Sequence, residues 1–159
     1  MKSTLSVLIR NQVGVVSDAT EVFKAHNINL HSVSCSETEA FDVSRLIITL
    51  EADDVDLATV RGFLAEKDFV IQVEDWSAMD LVDRELALVK VNVTRETTTQ
   101  IMQVGEVFRA TVVGMGPSTL TFEATGDMRR IDSFIKMLRP FGIKCLARTG
   151  AVALLRNDR

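Results

Sequence analysis

Ile9-Arg10-Asn11-Gln12-Val13-Gly14 is the stretch on which the reading of this chain turns. Before it, Leu5, Val7 and Ile9 alternate with Thr4, Ser6 and Leu8, the period of a strand. After it, Val15, Ala19, Val22 and Phe23 recur at helical spacing opposite Asp18, Glu21 and Lys24. The six residues are therefore a strand-to-helix turn, and Gly14 opens a helix that runs to His26. A helix start presents backbone N–H groups without intrahelical partners and a partial positive charge, so it can hold a carboxylate. Asn27 tolerates left-handed backbone and suits the helix stop, and Asn29 then begins the next strand. No nucleophile with its base lies nearby. The chemistry indicated is recognition of a small anion or amino acid, not its conversion.

Outward from this turn, the first half of the chain reads βαββαβ. Ile28 to Cys35 is a second strand, and Ser36 to Asp42 is a polar, acidic hairpin loop. Val43 to Glu51 is a third strand with Leu46, Ile48 and Leu50 on one face. Asp53, Asp54 and Asp56 mark a helix start, continued by the stripe Leu57, Val60 and Leu64. Phe69, Ile71 and Val73 form a fourth strand.

The same order then repeats after a linker from Asp75 to Arg84. Glu85 to Val93 is a strand, and Thr97 to Phe108 is a helix with Ile101, Val104 and Phe108 in line. Ala110 to Met115 and Thr119 to Thr125 are strands about the turn Gly116-Pro117-Ser118. Asp127 opens a helix bearing Ile131, Phe134, Ile135 and Leu138, which Pro140 and Gly142 end. Ile143 to Leu155 closes as a strand, bent or broken at Gly150. The prediction is an α+β chain of two tandem ferredoxin-like βαββαβ domains, residues 1–78 and 79–159, each an antiparallel sheet with two helices on one face. Open strand edges in each domain point to a homodimer.

Composition narrows the function. The chain has 159 residues, 47% of them hydrophobic, with a net charge of −4 and a pI near 5.2. That balance argues against a nucleic-acid or anionic-membrane partner. Cys35 and Cys145 lie far apart, and with only His26 and His31 no zinc site is expected; both cysteines read as reduced packing thiols. The N-terminus is no signal peptide, and no apolar run approaches the ~20 residues needed to span a bilayer, so a cytoplasmic protein is expected. Trp76 reads as packing at a domain end. Met79, Met102, Met115, Met128 and Met137 read as gap-fillers, and Arg84, Arg129, Arg130, Arg139 and Arg148 as dispersed, solvated or ion-paired charges.

The chain resembles the small, regulatory subunit of acetolactate synthase, also called acetohydroxyacid synthase, along essentially its whole length. The resemblance rests on Leu5-Ser6-Val7-Leu8 with Asn11 and Gly14, on Phe23-Lys24-Ala25-His26-Asn27-Ile28-Asn29-Leu30 with Ser32-Val33, and on Val43-Ser44-Arg45-Leu46. It continues in Arg84-Glu85-Leu86-Ala87-Leu88-Val89-Lys90-Val91, Glu106-Val107-Phe108-Arg109-Ala110, Thr125-Gly126 and Ala147-Arg148-Thr149-Gly150. The first segments alone mark an ACT domain, a small-molecule-sensing βαββαβ module. The ordered set, with the arginine-glutamate-leucine run after a short linker, is specific to the synthase subunit.

The resemblance implies a protein that is not an enzyme by itself. It would bind the large catalytic subunit, raise its activity, and confer feedback inhibition by a branched-chain amino acid such as valine. It implies an N-terminal ACT domain for effector binding and dimerisation, and a C-terminal domain that contacts and stimulates the catalytic subunit. It also implies no cofactor in this chain, since thiamine diphosphate, Mg and FAD would belong to the catalytic subunit. Effector-binding residues carry over as Asn11, Gln12, Val13, Gly14 and Val15 from one chain and Asn29 from the other. Arg10, where the family often has an acid, and Val13, where it often has a small residue or proline, bear on which effector fits.

Three rival readings share the topology. Acylphosphatase chemistry needs an arginine closely following the loop to hold a phosphoryl group; here Val16, Ser17 and Asp18 follow. An RNA-binding domain of this topology stacks bases on strand aromatics, and Val43 to Leu50 and Glu85 to Val93 contain none. A free-standing ACT-domain sensor regulating another enzyme is the alternative that remains.

Overall fold

The computed structural model describes residues 2–157. The element order is β1 (Lys2–Arg10), α1 (Val15–Ala25), β2 (Leu30–Glu37), β3 (Val43–Glu51), α2 (Asp54–Ala65) and β4 (Val70–Asp75), followed by β5 (Leu81–Asn92), α3 (Thr98–Val107), β6 (Thr111–Met115), β7 (Thr119–Gly126), α4 (Met128–Leu138), β8 (Ile143–Arg148) and β9 (Val152–Leu155). The strand orders are β2-β3-β1-β4 and β6-β7-β5-β8, every pair antiparallel. This is the predicted pair of ferredoxin-like sheets.

The periodicity read from the sequence places the cores correctly. In the first unit Leu5, Val7 and Ile9 of β1 and Leu46, Ile48 and Leu50 of β3 are fully buried against Ala19 and Phe23 of α1 and Val60 and Leu64 of α2. In the second, Ala87, Val89 and Val91 meet Phe122, Ile131, Phe134 and Leu138. Each large side chain so buried contributes roughly 1.5–3 kcal/mol. Asp53 and Asp127 cap their helices, accepting the Asp56 and Arg130 N–H groups, both at 2.8 Å.

Helices α1 and α3 end in the same way. Asn27 has φ 55°, its N–H donates to the Lys24 carbonyl at 3.0 Å, and the Ile28 N–H donates to the Phe23 carbonyl at 2.9 Å. Arg109 has φ 53°, with its N–H on the Glu106 carbonyl at 3.0 Å and the Ala110 N–H on the Gly105 carbonyl at 2.8 Å. Both are Schellman closures with a non-glycine residue in left-handed backbone.

Several expectations are corrected. Among the described residues the compact units are 2–82 with 151–157, and 83–150, whereas the sequence divided the chain at 78/79 and left its end in the second domain. Gly150, with φ 76°, breaks the closing strand, and β9 returns to the first unit. There Ala151 and Ala153 bury Ile47 and Trp76, and the Arg156 N–H donates to the Asp80 carbonyl at 2.9 Å. The linker is shorter than predicted, because Asp75 ends β4, β5 begins at Leu81, and Trp76 is only 2% exposed.

In β4, Leu8 faces Gln72 and Ile9 faces Val70, so a bulge skips Ile71. Ile71 turns outward and Val70 joins the core in its place. Cys35 and Cys145 are free, but exposed on edge strands rather than packed. Met79, Met102, Met115 and Met137 are exposed as well.

Candidate functional site

Arg10-Asn11-Gln12-Val13-Gly14 is held at its first two residues by backbone bonds that only the folded sheet supplies. The Arg10 N–H donates to the Phe69 carbonyl at 2.8 Å, and the Asn11 N–H to the Asp42 carbonyl at 2.8 Å. The Asn11 side chain is also engaged: Nδ2 donates to Glu37 Oε1 at 3.3 Å and to the Phe41 carbonyl at 3.2 Å. Asn11 thus ties the turn to the tip of the β2–β3 hairpin.

Gly14 is the N-cap of α1, with φ 87° and ψ −14°, and no side chain caps the helix start. A Cβ at Gly14 would meet nothing within 4 Å, so the need for glycine is conformational, not steric. Val15 is buried in the core, while Val13 stands fully exposed.

Beside this helix start is an open groove of about 490 Å³ lined by Arg10, Gln12, Val13, Val15, Asp18 and, from the α2–β4 connection, Asp68 and Phe69. Of the six residues singled out from the sequence, the groove takes in Gln12, Val13 and Val15; Gly14 adjoins it as the cap of α1. Asn11 faces the hairpin instead.

Asn29 is exposed at the entrance to β2, past the far end of α1. Eleven helical residues separate the two ends, about 16 Å at 1.5 Å per residue. Asn29 and Gly14 of one chain therefore lie at opposite ends of a helix. Asp68 and Phe69 were invisible to local reading, because only the β1–β4 pairing brings them beside Arg10. Asp18 was read on the face of α1 opposite Val15, yet at three residues' spacing the two lie close enough to line the same groove.

The family model described as "AHAS small subunit-like ACT domain" matches residues 5–72. The one described as "Small subunit of acetolactate synthase" matches residues 84–157. The acetolactate synthase small subunit of Mycobacterium bovis is 34% identical over 156 residues, covering 98% of this chain and 93% of the relative.

The chain belongs to the family of acetolactate synthase small subunits.

The small subunit of Aquifex aeolicus is 35% identical over 157 residues, 98% of this chain and 82% of its own. The crystal structure of the small subunit from Thermotoga maritima superposes with a TM-score of 0.87 at 27% identity, covering 100% of this chain and 99% of that one. As a small subunit of this synthase, the chain pairs with a catalytic subunit. Among the described residues no helix is long and apolar enough to cross a membrane.

Proposed function

We propose that this chain is a non-catalytic regulatory subunit that stimulates the catalytic subunit of acetolactate synthase in the cytoplasm and makes it sensitive to a branched-chain amino acid, with valine the leading effector. The observation that carries the sensing role is the start of α1. Its N–H groups have no side-chain cap, and they lie beside a groove whose wall offers one cation, two carboxylates and an apolar patch. A zwitterionic amino acid matches that wall. Its carboxylate suits the helix start and Arg10, its ammonium suits Asp18 or Asp68, and its branched side chain suits Val13, Val15 and Phe69.

The 16 Å between the ends of α1 supports a paired site. A ligand at Gly14 reaches an Asn29 only if that residue comes from a second copy, which makes the homodimer part of the site. In this reading the first unit senses, and the second contacts and stimulates the catalytic subunit.

The test is synthase activity of the catalytic subunit, with and without this chain, across valine concentrations. The expected result is higher activity with the chain present and valine inhibition only of the complex. Acetolactate formation by this chain alone, or no effect on the catalytic subunit, would overturn the proposal.

A further inference from the structure

The second unit carries a cationic hollow that effector sensing does not use. It measures about 330 Å³ and is lined by Arg84 at the head of β5, Phe108 and Arg109 at the end of α3, and Gly126, Asp127 and Arg130 where β7 enters α4. Three arginines around one small concavity are unexpected in a chain of net charge −4.

Their charge is not neutralised locally. Of the acids beside the hollow, Asp127 and Asp83 bind the start of α4, Asp127 Oδ1 accepting the Arg130 N–H at 2.8 Å and Asp83 Oδ2 the Met128 N–H at 3.4 Å, while Glu85, opposite Gly126 in the sheet, is held by Arg148. Among the described residues the Arg84 and Arg130 guanidinium groups find only carbonyls and a ring. Arg84 Nη1 donates to the Asp83 carbonyl at 2.6 Å, Arg130 Nη2 donates to the Phe108 carbonyl at 2.9 Å, and the Arg130 guanidinium lies 5.8 Å from the Phe108 ring centroid. Among the described residues none of these three arginines pairs with a carboxylate.

The backbone adds a second observation. Arg109 holds the left-handed closing position of α3 that asparagine fills at the end of α1. Left-handed backbone is costly for an ordinary L-residue and less so for asparagine. Gly126 in turn leaves room for the Arg130 stem, since a Cβ there would stand 2.6 Å from Arg130 Cδ.

We propose that this hollow is the socket in which the second unit receives a carboxylate-bearing segment of the catalytic subunit. Exposed guanidinium groups around an open hollow hold a free anion weakly, because water screens each pair. A docked segment excludes that water and lets an arginine fork grip a carboxylate through two hydrogen bonds. Arginine beside an aromatic ring is also the composition of interface centres. On a chain of net charge −4, the acidic surface elsewhere repels an acidic segment while the cationic hollow attracts it, which fixes the partner's orientation.

The proposal rests on the reading that this chain stimulates its catalytic subunit. The test uses the full chain and the catalytic subunit of the same organism, with affinity and stimulation measured at low and high salt. The double variant Arg84→Glu/Arg109→Asn is compared with the parent and with Arg95→Glu, a surface control on the turn before α3. The double variant should bind at least about tenfold more weakly, with a shallower salt dependence, while Arg95→Glu matches the parent. Arg109→Asn alone should weaken binding yet melt at or above the parent temperature, a combination that a purely structural arginine would not produce.

If the parent binds and stimulates but the double variant binds as well and keeps its salt slope, the socket is wrong and the regulatory reading stands. If the parent neither binds nor stimulates, the regulatory reading itself falls. A thermal shift of the chain alone by millimolar inorganic phosphate, lost in the double variant, would assign the hollow to a free anion and overturn docking.

Discussion

Arg148 grips Glu85 through two parallel hydrogen bonds, Nε to Oε1 at 2.6 Å and Nη2 to Oε2 at 2.8 Å. A third arm, Nη1, reaches Asp132 Oδ1 at 2.9 Å, so one side chain clasps β5, β8 and α4. The hydrogen bond to Glu85 above all, helped by Asp132 and opposed by burial, pushes the Arg148 pKa above its ordinary value. Glu85 is only 4% exposed.

Arg148→Met should therefore destabilise the second unit by about 3 kcal/mol, because it strands a buried carboxylate. Thermal melts of the variant and the parent check this. Arg148→Met/Glu85→Gln should recover part of the loss, because the neutral amide leaves no buried charge unpaired, and a double variant no more stable than Arg148→Met would mean that water reaches Glu85 in the variant.

Gly14→Asp should weaken effector binding at least about tenfold, since a charged hydrogen bond is worth roughly 1.5–3 kcal/mol and the new carboxylate competes for the same N–H groups. The left-handed backbone at this N-cap adds a folding cost of about 1–2 kcal/mol. The synthase complex should keep its stimulation and lose valine sensitivity. Full sensitivity in a dimer of unchanged elution volume would put the effector elsewhere.

Asn11→Ala removes two side-chain bonds to the hairpin and leaves the backbone bond to Asp42. A stability loss of about 1 kcal/mol is expected, with faster amide hydrogen exchange confined to the hairpin tip around Phe41 and Asp42. Exchange rates identical to the parent would show that these bonds do not hold the hairpin in solution.

Gly105→Ala should cost the second unit about 1–3 kcal/mol by overpacking. A Cβ there would stand 2.5 Å from Cε1 of Phe122, whose ring is 1% exposed and meets Phe134 edge-on. Gly62→Ala, which meets nothing within 4 Å in α2, is the control and should be neutral or slightly stabilising. Equal melting temperatures for the two variants would contradict the close approach of Gly105 to Phe122.

The elements that sequence placed correctly are those whose signal is local. Leu46, Ile48 and Leu50 alternate, Ile131, Phe134, Ile135 and Leu138 recur at helical spacing, and all seven are buried in the predicted cores. Asp53 and Asp127 announced their helix starts by residue type alone, and Asn27 its helix stop. Gly14 was equally legible, because a strand period meeting a helical period leaves room for only a tight turn. Tandem βαββαβ order and membership of the small-subunit family follow from such local patterns taken in sequence, since the fold is set by the order of amphipathic segments.

What local pattern could not settle is which distant segments meet. Ile71 and Val70 exchange faces because a bulge opposite Leu8 and Ile9 shifts the register of β4. The closing strand breaks at Gly150 and returns to the first unit, where Ile47 and Trp76 offer an apolar face to Ala151 and Ala153. Asp68 and Phe69 join Arg10 at the groove, and Arg84 and Arg130, which looked dispersed along the chain, line one hollow with Arg109. Each of these is a contact between residues far apart in the chain. Such contacts depend on pairing register and on where apolar faces find cover, which are properties of the assembled sheet and not of any single segment.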